Sequence, residues 1–323
     1  MEEVRDRLAP FHSPALKLVA VTDSPSAPRR AVFDEDEFSE RADLPDDLSE
    51  DVSRETAALP RPASPRTFVV ANQKGGVGKT TTAVNIAAGL AMGGLKVLVV
   101  DMDPQGNAST ALGVDHSEGT PGTYDVLVEG APLIDVIQRC PDIPGLYVVP
   151  ATIDLAGAEI GLVATVSRET KLQIALRKFF KEFYVDYVIV DCPPSLGLLT
   201  LNALVAAKEI MIPIQCEYYA LEGVTQLMKT IELVTGRLND DLRLSTVILT
   251  MFDGRTNLST QVANEVRTHF AEETLETVVP RSVRIAEAPS YGQTVLSYHL
   301  ASAGAQAYRQ AAEEIARRGP TKK

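Results

Sequence analysis

The run Gln73-Lys74-Gly75-Gly76-Val77-Gly78-Lys79-Thr80-Thr81 constrains the fold of this chain more than any other stretch. Three glycines in four residues suit neither the interior of a helix nor that of a strand. Before them stands Thr67-Phe68-Val69-Val70-Ala71, a short β-rich apolar run. After them, Thr80 to Ala91 alternates small and apolar residues at helical spacing. The order is therefore strand, glycine turn, helix. Gly75, Gly76 and Gly78 let successive backbone N–H groups converge on one anion, and the helix start adds its positive end. Lys79 is placed to reach the β- and γ-phosphates of a nucleotide, and the Thr80 hydroxyl to ligate Mg²⁺. The whole octet Lys74 to Thr81, Val77 and Thr81 included, is the expected nucleotide-binding stretch. The usual pattern G-x-x-x-x-G-K-[ST] requires glycine at position 73, which here is Gln73. Lys74 is thus a surplus lysine. The plain alternative for it is a solvated charge beside a turn.

The rest of the chain alternates in the same manner. Apolar runs at 67–71, 96–101, 146–149, 187–191, 209–214, 244–250 and 276–279 predict strands. Amphipathic stretches at 168–183, 218–236, 257–271 and 301–318 predict helices between them. Near-continuous apolar strands separated by helices imply an α/β fold with a mostly parallel, doubly wound sheet of the P-loop NTPase type. Ligands of such sheets bind at the carboxyl ends of the strands. The glycine loop, Asp103 and Asp191 all follow strands directly, so all three are expected on one rim.

Asp191 ends Tyr187-Val188-Ile189-Val190, where a carboxylate in a P-loop protein commonly holds Mg²⁺ through a water. The bland reading is a strand-end turn residue. Asp101 and Asp103 end Lys96-Val97-Leu98-Val99-Val100 and sit two apart, on one face of an extended chain. One can hold the water shell of the metal and the other can orient an attacking water. An exposed Asp is a weak base at neutral pH, so orientation is the expected contribution and turnover is expected to be slow.

Four blocks together resemble the ParA/MinD family of ATPases. Asn72 to Thr81 resembles its deviant Walker A motif. Asp101-Met102-Asp103-Pro104-Gln105-Gly106-Asn107 resembles its second motif. Val188-Ile189-Val190-Asp191-Cys192-Pro193-Pro194-Ser195 resembles its Walker B. Pro280-Arg281-Ser282-Val283-Arg284-Ile285-Ala286-Glu287-Ala288-Pro289-Ser290 resembles the late block of chromosomal members. The resemblance runs from about residue 66 to 318. It implies ATP and Mg²⁺ as cofactors and an ATP-dependent homodimer in which each Lys74 reaches the nucleotide of the partner. It also implies that Asp103 positions the attacking water, with Asp101 in the metal and switch environment beside Thr80 and Asp191.

Composition narrows the setting. Only Cys140, Cys192 and Cys216 occur, at no metal or redox spacing, which fits a reducing cytoplasm and offers no cluster site. Net charge is −12, and residues 1–66 carry 15 acidic against 9 basic residues. Residues 1–64 read as a disordered acidic tail, with the run Asp34-Glu35-Asp36-Glu37 and one apolar island, Ala15 to Val21, as a possible docking segment. The ATPase domain is expected over 65–319, followed by a short basic end at 320–323.

Among the outputs of this family, a membrane-associated MinD-like role needs a C-terminal helix with large apolar residues. Here the apolar content of that helix is mostly alanine, which grips lipid poorly. DNA is the expected target, contacted non-specifically and in the nucleoid, with Arg255, Arg281 and Arg284 as candidates. A surface salt bridge is the alternative for each. The resemblance implies a ParB-like DNA-bound partner that stimulates hydrolysis and so moves the chromosome origin. A nucleotide-gated scaffold with incidental hydrolysis is the rival reading.

Overall fold

A computed structural model of the chain describes residues 58–163, 165–218 and 222–319. The acidic run at 34–37, the apolar island at 15–21 and the basic end at 320–323 lie outside them. Eight strands form one sheet: β1 Arg66–Val70, β2 Val97–Asp101, β3 Gln138–Arg139, β4 Leu146–Val149, β5 Tyr187–Asp191, β6 Glu209–Gln215, β7 Arg243–Phe252 and β8 Thr274–Pro280. Their order across the sheet is β3-β4-β2-β5-β1-β6-β7-β8. All pairings are parallel except β3 with β4. β3 carries no apolar run, and the sequence reading misses it. The other seven strands match their expected positions within three residues.

The α-helices in chain order are α1 Lys79–Met92, α2 Asn107–Ala111, α3 Leu133–Val136, α4 Ala158–Val163, α5 Lys171–Glu182 and α6 Leu198–Ala206. They continue as α7 Glu222–Thr235, α8 Asn257–His269, α9 Val283–Glu287, α10 Val295–Tyr298 and α11 Ala303–Arg318. Strand alternation divides the core in two. Val69, Leu98, Val100, Val188 and Val190 face one cluster with α5, α6, α7 and α8. Phe68, Val70, Val97, Val99 and Ile189 face the other, filled by α1 and α11.

The alanines of α11 have a packing cause. α11 lies so close to α1 that a Cβ on Gly89 would stand 2.7 Å from the Cβ of Ala312. Ala305, Tyr308, Ala311, Ala312 and Ile315 are buried there, and the Tyr308 hydroxyl meets that of Thr82 at 3.3 Å. The apolar face of α11 is thus occupied by the domain. No described helix is long and apolar enough to cross a membrane.

Arg66 pins the opposite end of the sheet. Its guanidinium donates twice to Glu209, at 2.8 and 2.7 Å, and once to the Ile315 carbonyl at 2.9 Å. Ahead of the expected domain start at residue 65, Leu59 is buried, and its N–H donates to the Gly93 carbonyl at 3.0 Å. A single leucine between alanines and prolines has no periodicity to announce such a contact.

Candidate nucleotide site

The loop between β1 and α1 is held at three points. The Asn72 amide donates to the Pro213 carbonyl at 2.9 Å and accepts the Lys74 N–H at 3.0 Å, fixing the entry. Gly76 and Gly78 take φ of +74° and +88°, a region that L side chains rarely adopt, so the turn requires glycine at both. The Thr250 hydroxyl at the far end of β7 donates to the Val77 carbonyl at 2.9 Å and fixes the tip. The helix N-terminus at Gly78 has no side-chain cap, which leaves its first N–H groups open to an anion.

Lys79 is buried, and its ammonium donates to the Lys74 carbonyl at 3.3 Å. Burial pushes its pKa down, and the charges of Asp191 and Asp103 pull the other way. Lys79 therefore faces both carboxylates from inside the loop. Gly75 and Gly76 are exposed at the loop surface, with Lys74 beside them half-buried. Thr80 and Thr81 are half-buried on the first turn of α1.

The carboxylates converge as the strand pattern requires. β2 and β5 are neighbours, and their register sets Asp101 directly beside Asp191. Both are completely buried. The two are held differently. Asp101 accepts the Asp103 N–H at 3.1 Å, the Ser109 N–H at 2.9 Å and the Ser109 hydroxyl at 2.7 Å. Both its oxygens are used, and they tie the loop bearing Asp103 and the start of α2 to the strand end. Asp191 has no hydrogen-bond partner on either oxygen among the described residues. The Thr80 hydroxyl faces it and favours the ionised form, without a hydrogen bond of ordinary geometry.

Burial and the neighbouring Asp101 charge raise the Asp191 carboxyl well above the ordinary range. Burial raises Asp101 to about 6, opposed by its bonds from Ser109 and Asp103. A buried ionisable group without partners is costly, so a cation belongs beside this pair. Asp103 is buried at the edge, with one oxygen accepting the Gln105 N–H at 3.0 Å.

Cys192, next to Asp191, is wholly buried, and burial pushes its thiol well up. It behaves as a small core residue. Asn72 opens the quoted Walker A-like stretch, where the motif reading gives it no role. Thr250 and Ser109 lie outside the quoted motifs and act through contacts that spacing does not disclose.

A second set of sequence candidates lies where β7 and β8 end. Arg255 forms a two-bond pair with Asp253, at 2.9 and 2.8 Å, and its side chain is 89% exposed. The Arg281 N–H donates to the Phe252 carbonyl at 3.1 Å, which brings Arg281 beside Asp253. The Arg281 side chain pairs with Glu217. Arg255 and Arg281 together hold Asp253 down at about 2, chiefly through the Arg255 bonds. Arg284, on α9, pairs with Glu287 at 3.0 Å.

Residues 65–244 match the family model described as an AAA domain. The chain is 51% identical over 252 residues to the sporulation initiation inhibitor protein Soj of Bacillus subtilis, covering 78% of this chain and 98% of that protein. It is 50% identical over 250 residues to the chromosome partitioning protein ParA of Caulobacter vibrioides, covering 77% and 93%. The chain belongs to the Soj/ParA family of chromosome-partitioning P-loop ATPases. Its fold agrees with that of solved P-loop proteins. The cobyrinic acid a,c-diamide synthase of Mycobacterium smegmatis, crystallised with an ATP analogue and magnesium, superposes with a TM-score of 0.66 at 40% identity. That match covers 77% of this ParA-type chain and 93% of the synthase.

Proposed function

We propose that this ParA-type chain is an ATP-dependent dimerising switch that binds DNA non-specifically in the nucleoid. A ParB-like partner stimulates its slow hydrolysis and so drives chromosome segregation. The observation that carries the reading is Asp191: two buried oxygens without a donor among the described residues, beside Lys79 and Thr80 and against a second buried carboxylate. That donor set suits Mg²⁺, a hard cation that takes oxygen ligands and keeps several waters. Thr80 and Asp191 would hold it. Asp101 contributes charge nearby, but its oxygens are already engaged by Ser109 and Asp103, so its part is to brace the switch loop. Bound there, magnesium offsets the charge of the phosphate oxygens.

The residues of the chain do the rest. The loop N–H groups and Lys79 orient the phosphates, and the Lys79 ammonium exchanges the Lys74 carbonyl for phosphate oxygen. Asp103, tied through its N–H to Asp101, orients water for attack. A carboxylate abstracts protons weakly at neutral pH, which keeps unstimulated turnover slow. Lys74 crosses to the nucleotide of a second subunit and offsets the repulsion between two facing ATP molecules. The dimer doubles the cluster of Arg255, Arg281 and Arg284, which lets an acidic chain hold DNA phosphates.

The deciding experiment is co-sedimentation of the full chain with DNA in ATP, in ADP and without nucleotide, for wild type and Asp103→Ala. ATP-dependent DNA binding that Asp103→Ala traps is the expected result. Equal binding in all nucleotide states would reject the switch, and normal function of Asp103→Ala would favour a scaffold.

A further inference from the structure

α5 carries a surface that the nucleotide cycle does not use. A groove of about 460 Å³ runs between α5 and the segment from Val126 to Ile134. Its floor is apolar: Val126 and Leu133 are buried in it, and Ile174 reaches into it while 42% exposed. Its rim is basic. Lys171, Lys178 and Lys181 line it against a single acidic residue, Glu182. None of the three lysines forms an ion pair within 4 Å among the described residues. An apolar floor ringed by unpaired ammonium groups is complementary to a peptide with large apolar anchors and clustered carboxylates.

The chain itself contains such a peptide. Val32-Phe33-Asp34-Glu35-Asp36-Glu37-Phe38 sets four consecutive acids between two phenylalanines. We infer that residues 32–38 dock in cis into the groove between α5 and residues 126–134, with Phe33 and Phe38 on the apolar floor and the four carboxylates on Lys171, Lys178 and Lys181. The connection permits it. The chain is anchored at Leu59, and residues 39–57 supply 19 residues between the segment and the described domain. Extended, they span roughly 60 Å, enough to reach any face of a domain this size. A coil of that length has a root-mean-square span of roughly 24 Å, which would set a local concentration near millimolar. A groove affinity of only about 0.1 mM then keeps the segment bound about ten to one.

Lysine acetylation tests this on the full-length protein. Wild type, Phe33→Ser/Phe38→Ser and the isosteric acid variant Asp34→Asn/Glu35→Gln/Asp36→Asn/Glu37→Gln are exposed to an N-hydroxysuccinimide acetate. Modification of each lysine is followed by mass spectrometry at several protein concentrations. Lys178 and Lys181 are expected to react about three- to tenfold faster in both variants than in wild type, with Lys229 on α7 unchanged as the internal reference. Rates that agree in all three proteins overturn the inference. A rise confined to the acid variant also overturns it, since charge alone would then act without the groove. Protection that grows with protein concentration overturns docking in cis and assigns the groove to the tail of a second copy.

Discussion

The hydroxyl of Thr250 donates to the carbonyl of Val77 across 2.9 Å, joining the end of β7 to the tip of the glycine loop. β7 lies two strands from β1, so the bond ties the phosphate cradle to the half of the sheet that carries Arg255 and Arg281. Both partners are buried. Thr250→Val keeps the shape and leaves the Val77 carbonyl unpaired, which costs about 1–3 kcal/mol. Much of that cost falls on the loop conformation. A titration with a fluorescent ATP analogue and Mg²⁺ is expected to show affinity weakened about three- to tenfold, with thermal stability reduced only modestly. Unchanged affinity would mean that the loop tip holds itself.

Gly75 and Gly78 separate two effects within one loop. A Cβ on Gly75 meets nothing within 4 Å, and its φ is not positive. Gly78 sits at φ +88°, where any Cβ strains the backbone. Gly78→Ala is expected to weaken ATP binding about five- to 100-fold, because holding the loop with a Cβ at positive φ costs about 1–3 kcal/mol. Gly75→Val is expected to bind ATP like wild type and to remain monomeric in light scattering. Since the single subunit has room for that side chain, loss of the dimer would report a clash with a second subunit. An ATP-dependent dimer of Gly75→Val would remove Lys74 and its neighbour from the interface.

The buried carboxylate pair sets a pH dependence. Asp101 titrates at about 6 and Asp191 well above the ordinary range, both through burial. Unfolded, both titrate near 4. The folded, ligand-free chain therefore binds more protons than the unfolded chain above pH 4. For raised carboxyls the contribution to stability is full below about pH 4 and is lost as pH rises through the folded pKa, about 6 for Asp101. Magnesium needs the carboxylate form, so its binding with nucleotide releases protons at mildly acid pH. Calorimetry in two buffers of different ionisation enthalpy is expected to show proton release at about pH 5.5, where the raised carboxyls are still largely protonated. Asp191→Asn is expected to reduce it, which separates the protein from titration of the nucleotide itself.

The fold was largely legible because its signals are local. Seven strands and five long helices announce themselves by apolar runs and helical spacing, and β2 and β5 end in aspartates that topology must bring to one rim. What sequence could not disclose depends on pairing. Spacing places Asp101 and Asp103 on one face, but only the register of β2 on β5 sets Asp101 against Asp191. Ser109 then decides that Asp101 braces a loop while Asp191 stays open. Leu59 escaped notice for the same reason, since its partner, Gly93, is remote in sequence. The alanines of α11 were legible in the sequence, whereas the reason for them, close approach to Gly89, is a contact between helices.

The arginines allow a test in which two substitutions move binding in opposite directions. Arg281 is paired with Glu217, and Arg255 with Asp253, all at the surface. Exposed pairs of this kind contribute about 0–1 kcal/mol, so a DNA phosphate can displace the carboxylate. If Arg281 binds phosphate, Arg281→Ala weakens DNA binding in ATP for all sequences alike. The slope of log K against log salt then becomes shallower by about 1 for each phosphate that is no longer neutralised. Glu217→Gln does the reverse: it removes the competing carboxylate and is expected to tighten binding about two- to fivefold at low salt. A purely structural Arg281–Glu217 pair predicts instead that both substitutions act alike, lowering stability slightly and leaving the salt slope unchanged. Fluorescence anisotropy with a short DNA duplex at several salt concentrations, with ATP present, distinguishes the two outcomes.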